Sequence, residues 1–272
     1  MSQIKQSILE ELKRIEREEG IRILYACESG SRAWGFPSRD SDYDVRFLYI
    51  RPVEWYLSIF DKRDVIERPI SDQLDINGWD LKKALRLFRK SNPPLLEWLQ
   101  SPILYVERCS AASRIRELAS QMFSPRACMH HYLHMARGNY RTYLQGDTVK
   151  IKKYFYVLRP ILACEWIEKH GEMPPMEFQQ LAGALIPEGS GLKTAVQELL
   201  ARKIAGDEMK DEPKINVINE YVETQLAVYE RIAKDMRTAE GEDGGMDAKL
   251  DHLFRSVVYE VWEKDEWDGY FV

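Results

Sequence analysis

Long apolar runs are missing from this chain. Nowhere in its 272 residues does one approach the ~20 residues that a membrane-spanning helix needs. The polar N-terminus does not read as a secretory signal either. Cysteine is sparse: Cys27, Cys109, Cys128 and Cys164 are scattered, with no C-x-x-C pair. That spacing excludes a zinc ribbon or a disulfide framework and predicts reduced, mostly buried thiols of a cytoplasmic protein. Positive charge is not in excess, since 39 Lys and Arg face 44 Asp and Glu for a net charge of −5. A protein that coats nucleic acid by bulk electrostatics is thereby excluded, although a local basic patch is not. Internal repeats and extended low-complexity tracts are also lacking. What is present is an ordinary globular content of apolar residues, 44%, enough for one large domain or two modest ones.

The apolar pattern changes partway along. Ile4, Ile8, Leu12 and Ile15 recur at helical spacing, and Glu19-Gly20 ends that helix. Ile21 to Cys27 and Val45 to Ile50 read as buried strands, and Asp64 to Ile70 and Gln73 to Ile76 as two more around a Pro-Ile-Ser-Asp turn. Trp79 to Arg89 returns to helical spacing, Asn92-Pro93-Pro94 breaks it, and Leu95 to Leu99 begins another short helix. From about Ser110 strand signals almost vanish. Helices are predicted over 110–122, 125–145, 150–169, 175–185, 191–204 and 214–237, then an acidic linker at Glu240 to Gly245 and a docking helix at 247–263. The expected organisation is α+β: residues 1–108 form a mixed sheet with flanking helices, and 109–272 an all-α helical domain.

The compact chemical signature is Gly30-Ser31-Arg32-Ala33-Trp34-Gly35, followed by Ser41-Asp42-Tyr43-Asp44. A Gly-Ser turn that opens a helix offers unpaired backbone N–H groups to phosphate. Asp42 and Asp44, at i and i+2 leading into a strand, face one side and together suit a divalent cation. An isolated D-x-D is usually just a polar loop. Here Asp44 runs directly into Val45 to Ile50, where carboxylates aimed at a common face are costly unless paired or metal-bound. Asp75, between Leu74 and Ile76, is turned away from the apolar face by alternation. Asp64 and Glu67 are its rivals, and Asp80 reads as a residue of a helix's first turn.

These residues resemble the DNA polymerase beta-like nucleotidyltransferases, whose pattern is a strand, a Gly-Ser turn opening a helix, a strand with two aspartates, and a third carboxylate on a later strand. Gly30, Ser31, Asp42 and Asp44 match it position by position. The longer strings Gly-Ser-Arg-Ala-Trp-Gly and Ser-Asp-Tyr-Asp-Val-Arg look like a bacterial and phage branch, some of whose members are encoded beside RNA-repair ligases. Leu74-Asp75-Ile76, Trp79 to Lys83, Asn92-Pro93 with Glu97-Trp98-Leu99, and Lys152-Lys153-Tyr154 with Leu158-Arg159-Pro160 extend the likeness. It implies a transferase moving a nucleoside monophosphate from a nucleoside triphosphate to an acceptor hydroxyl, with pyrophosphate released. Asp42, Asp44 and Asp75 would be the catalytic carboxylates and the ligands of two Mg²⁺ ions, with Mn²⁺ as a substitute. Ser31 would contact phosphate, with Gly30 and Arg32 beside it.

In the helical half, Lys152, Tyr156 and Arg159 share a face at i, i+4 and i+7. A solvated charged face explains this spacing as well as a site does. The resemblance assigns Lys152, Lys153, Tyr154 and Arg159 to the nucleotide: lysine for phosphate, an aromatic for the base. Pro160 frees a backbone carbonyl one turn earlier. His130 and His134 stand at i and i+4 without the glutamate of an H-E-x-x-H arrangement. Arg126, Arg137, Tyr140, Arg141 and Tyr143 interleave charge and aromatic rings nearby, as an RNA-contacting face or as tyrosines packed inward. An RNA end is the acceptor that the branch points to. A small molecule, a protein side chain and an inactive nucleotide-binding module stay open, as does the oligomeric state.

Overall fold

A computed structural model describes residues 3–69, 73–207, 210–236 and 245–268. The acidic stretch 240–244 and the turn residues 70–72 lie outside them. Along the first part of the chain run α1 (Gln3–Glu19), β1 (Arg22–Glu28), α2 (Gly30–Ala33), β2 (Tyr43–Ile50), α3 (Val53–Tyr56), β3 (Val65–Glu67) and β4 (Leu74–Asp80). Then come α4 (Leu81–Phe88), α5 (Pro93–Leu99), β5 (Leu104–Glu107) and α6 (Ala111–Met122). The sheet order is β3-β4-β2-β1-β5, with β2 and β4 parallel and the other pairs antiparallel. Alternation along the strands sends Val45, Phe47 and Tyr49 to one face, where Ile8, Leu12 and Ile15 of α1 close over them. On the sheet, α4 packs against β2 and β4, and α6 against β1.

β4 is longer than predicted and takes the place of a helical start at Trp79. Asn77 to Asp80 pair with Arg46 to Tyr49 of β2, so ladder hydrogen bonds outweigh the local helical spacing. The helix starts two residues later, at Leu81, and Asp80 is its N-cap, accepting the Lys82 N–H at 2.8 Å. Gly78 is required here, because a Cβ on it would lie 2.1 Å from the Phe47 ring. β5 was not predicted: its four residues, after Ser101-Pro102, are too few to show a period.

The helical part comprises α7 (Pro125–Asn139), continued by a π-helical turn over Tyr140–Leu144, then β6 (Thr148–Lys150), α8 (Ile151–His170), α9 (Phe178–Leu185), α10 (Gly191–Ile204), β7 (Asp211–Pro213), α11 (Asn216–Asp235) and α12 (Met246–Asp268). β6 and β7 form a two-stranded ribbon that the sequence pattern gave no sign of. Pro160 sits inside α8 without breaking it. The carbonyl that its missing N–H leaves unpaired, that of Tyr156, accepts the Asn139 side-chain amide at 2.9 Å.

The chain divides into two compact units, and the division is not the contiguous 108/109 split expected. One unit comprises Met1–Gly30, Asp42–Met122 and Glu240–Val272; the other comprises Ser31–Ser41 and Phe123–Ala239. Two local causes account for this. α6 and α12 pack with the sheet unit, where Leu253 and Val257 of α12 are buried. Phe36 packs in an aromatic cluster with Phe155 and Phe178, at centroid distances of 4.7 and 5.5 Å.

Candidate active site

In the sheet unit, parallel pairing of β2 and β4 sets Asp44 directly opposite Asp75. Both lie at the starts of their strands, where the ladder opens and side chains reach solvent. Asp44 is held from three sides. Its N–H donates to Glu28 Oε1 at 2.8 Å, and its carbonyl accepts the Ser29 N–H at 2.8 Å. Gly30, with φ +59°, approaches so closely that a Cβ there would lie 2.0 Å from Asp44 Oδ2. Only glycine satisfies both conditions.

Glu28 is a residue that sequence reasoning passed over. It is fully buried at the end of β1, with one carboxylate oxygen on the Asp44 N–H and the other accepting the Tyr105 hydroxyl of β5. Its backbone is fixed as well, the carbonyl by the Ser101 hydroxyl at 2.7 Å and the N–H by Ile103 O at 2.9 Å. The available signal was a charged residue closing an apolar strand, a place where burial demands partners.

Arg46, two residues beyond Asp44 on the same strand face, bridges the two carboxylates. Its Nη2 donates to Asp44 Oδ1 at 3.2 Å and to Asp75 Oδ2 at 2.8 Å, while Nη1 donates to the carbonyls of Val45 and Asp75 at 3.1 and 3.0 Å. Burial raises the Asp44 carboxyl above its ordinary value; Arg46 opposes the rise, and the charges of Asp75 and Asp42 add to it. Asp42 is exposed, just ahead of the strand. The three carboxylates are therefore one electrostatic cluster, with Asp44 at its centre.

Among the described residues, no three His, Cys, Asp or Glu side chains stand close enough together to hold a metal ion as they are. The chemistry of the donor set nevertheless fits a hard divalent cation. Asp44 and Asp75 are both partly open to solvent, with side-chain exposures of 27% and 30%, and each has only one oxygen on the Nη2 of Arg46. The remaining oxygens, with those of Asp42, are the kind Mg²⁺ takes, alongside water and substrate phosphate.

In the helical unit the predicted residues fare unevenly. Arg32 donates to the Ser41 carbonyl at 2.7 Å, closing the 31–41 loop, and the Ser31 carbonyl accepts the Phe36 N–H at 3.2 Å. Lys152 and Lys153 are partly exposed, with Lys153 Nζ 3.9 Å from the Tyr143 ring centroid and 4.9 Å from that of Tyr156. Tyr154 is buried, and its hydroxyl accepts the Ile215 N–H at 2.8 Å. Arg159 is buried too, stacked 4.7 Å from Trp34 and directed to the Met176 carbonyl. Both side chains are thus engaged in packing that helix–loop spacing alone did not reveal. His130, His131 and His134 form no metal-holding group among the described residues.

A five-stranded mixed sheet that pairs carboxylates across parallel strands beside a glycine turn defines the class: a nucleotidyltransferase domain followed by helices. Residues 4–256 match RlaP, the RNA repair pathway DNA polymerase beta family, and the chain belongs to that family. It is 54% identical over 260 residues to the Bacillus subtilis (strain 168) protein called uncharacterized protein YcgL, covering 96% of this chain and 98% of that one. A solved structure, a nucleotidyltransferase-like protein from Exiguobacterium sibiricum 255-15, aligns over 95% of this chain and 92% of its own. Its identity is 11% and its TM-score 0.31. No helix among the described residues is long and apolar enough to cross a membrane.

Proposed function

We propose that this transferase moves a nucleoside monophosphate from a nucleoside triphosphate to the terminal hydroxyl of an RNA end and releases pyrophosphate. The observation that carries the reading is the in-register pair Asp44 and Asp75, held at the open ends of adjacent parallel strands beside Gly30. Family membership supports the nucleotidyl chemistry, and the family's RNA-repair designation supports the acceptor. Asp42, Asp44 and Asp75 would hold Mg²⁺, or Mn²⁺ in its place. When bound, such ions lower the pKa of an attacking hydroxyl and neutralise charge on the leaving pyrophosphate.

The chain's own residues do the rest. Asp75 takes or relays the proton of the acceptor hydroxyl. Asp44, oriented through its backbone by Glu28, sits where negative charge must be arranged before substrate arrives. The backbone at Gly30 and Ser31 offers donors to phosphate, and Arg32 fixes the loop that follows. Of the helical-unit candidates, Lys152 and Lys153 are partly exposed, whereas Tyr154 and Arg159 are buried and support the surrounding helix.

The test is transfer of label from each α-³²P nucleoside triphosphate, with Mg²⁺, to RNA with free 3′ or 5′ ends and to non-RNA acceptors. Label on RNA with wild type, and none with a normally melting Asp44→Asn protein, is expected. Label only on protein or on a small molecule moves the acceptor elsewhere, and nucleotide binding without transfer makes the chain an inactive binding module.

A further inference from the structure

Arg46 is the cation already present among the carboxylates, and its geometry is not that of an incidental surface pair. Four hydrogen bonds hold one guanidinium, two to carboxylates and two to backbone carbonyls on adjacent strands. The carbonyl bonds use main-chain oxygens and not the carboxylates, so Arg46 has an anchor of its own. Its side chain is only 18% exposed. A planar fork that spends one nitrogen on backbone and the other on two carboxylates fixes which carboxylate oxygens stay free.

Resting on the reading of Asp42, Asp44 and Asp75 as cation ligands, we propose that Arg46 is a permanent positioning residue of the site. It occupies Asp44 Oδ1 and Asp75 Oδ2, so that Asp44 Oδ2 and Asp75 Oδ1 would be the oxygens offered to a cation. It also offsets one of the three carboxylate charges. Free cations are therefore held less tightly than the same carboxylates would hold them without the guanidinium. Arg46 therefore opposes binding of the free metal while favouring the arrangement that transfers.

That combination makes a prediction of opposite signs, which a merely structural arginine would not produce. In the full-length protein without nucleotide, Arg46→Gln should bind Mn²⁺ about tenfold more tightly than wild type, since a positive charge within a few ångströms is gone. Its kcat for nucleotidyl transfer should fall about a hundredfold, because the carboxylates lose their fixed orientation. Arg46→Lys keeps the charge but not the fork, so its free Mn²⁺ affinity should stay within about twofold of wild type while kcat still falls. Mn²⁺ titration followed by electron paramagnetic resonance, melting in EDTA and single-turnover transfer read these quantities.

A folded Arg46→Gln protein with unchanged or weaker Mn²⁺ affinity overturns the proposal, as does Arg46→Lys with wild-type kcat. If Arg46→Gln does not fold, the Lys variant decides: lowered kcat with wild-type melting and Mn²⁺ affinity supports the clamp. Failure of the underlying functional reading looks different. Wild type would then transfer to no acceptor, and Asp44→Asn and Asp75→Asn would leave Mn²⁺ binding untouched.

Discussion

At the scale of single residues, Gly30 and Asp44 are one feature seen from two sides. The positive φ of Gly30 strains any side chain placed there, and a Cβ would collide with the Asp44 carboxylate. Gly30→Ala should therefore cost about 1–3 kcal/mol of stability and abolish transfer, read by urea unfolding beside the labelling assay. Wild-type transfer by that variant would remove the close approach from the mechanism. Asp44 also makes a pH prediction with a definite sign. Burial, the largest influence, lifts its folded-state pKa above the unfolded value, so at neutral pH the ionised carboxylate is a liability to the fold. Stability attributable to Asp44 is then gained as pH falls through the raised folded value and is complete below the unfolded one. Asp44→Asn should melt at or above the wild-type temperature at pH 7, with the difference shrinking towards the ordinary carboxylate range. Melting curves at several pH values check this; a variant less stable at pH 7 and equal in acid would reverse the sign.

At the scale of elements, β4 is where local pattern and tertiary pairing disagree. Gly78 lets the Phe47 ring lie over the strand, and this contact fixes how β4 docks on β2 and hence where Asp75 stands relative to Asp44. Gly78→Ala should overpack that spot and destabilise the protein by about 1–3 kcal/mol, with a larger proportional loss of transfer than of stability. Denaturant unfolding alongside kcat separates the two. The same strand shows what the sequence could and could not disclose. Amphipathic helices announced themselves through period: α6, α8, α9, α10 and α11 fall within a few residues of their predicted spans, and β1 and β2 through their apolar runs. Asp44 and Asp75 were found as candidates because alternation assigns a side to each residue. Their mutual alignment was beyond local pattern, because register belongs to two strands. Arg46 and Glu28 were missed for a related reason: Arg46 reaches Asp75 on β4, and Glu28 reaches the Asp44 N–H on β2 and Tyr105 on β5, while each looks like an ordinary charged residue in isolation. Burial of Tyr154 and Arg159 likewise depends on segments remote in the chain.

At the scale of the whole molecule, the sheet unit is assembled from three separated pieces of chain, and the last contributes α12. Leu250, Leu253, Val257 and Val258 of this helix are buried, and polar ties supplement them: Arg89 with Asp247 at 2.5 Å, Arg114 with Ser256 at 2.6 Å, and the Ser110 N–H with Glu260 at 3.1 Å. Tyr56 and Phe254 stack edge to face at 5.0 Å. Each buried aliphatic side chain contributes on the order of 1.5–3 kcal/mol, so losing four approaches the entire stability of a domain, about 5–15 kcal/mol. Ending the chain after residue 244 should accordingly destabilise the sheet unit although every carboxylate of the site remains. The loss should be selective, because α7, α8 and α11 pack on one another within the other unit. Hydrogen exchange followed by mass spectrometry resolves this. Amides of β1, β2 and β4 should lose protection by several orders of magnitude in the truncated protein, while those of 151–170 keep theirs, and transfer should disappear. Retained protection across the sheet would mean that α12 is dispensable to the unit it packs in. Equal loss in both units would mean that the two unfold as one.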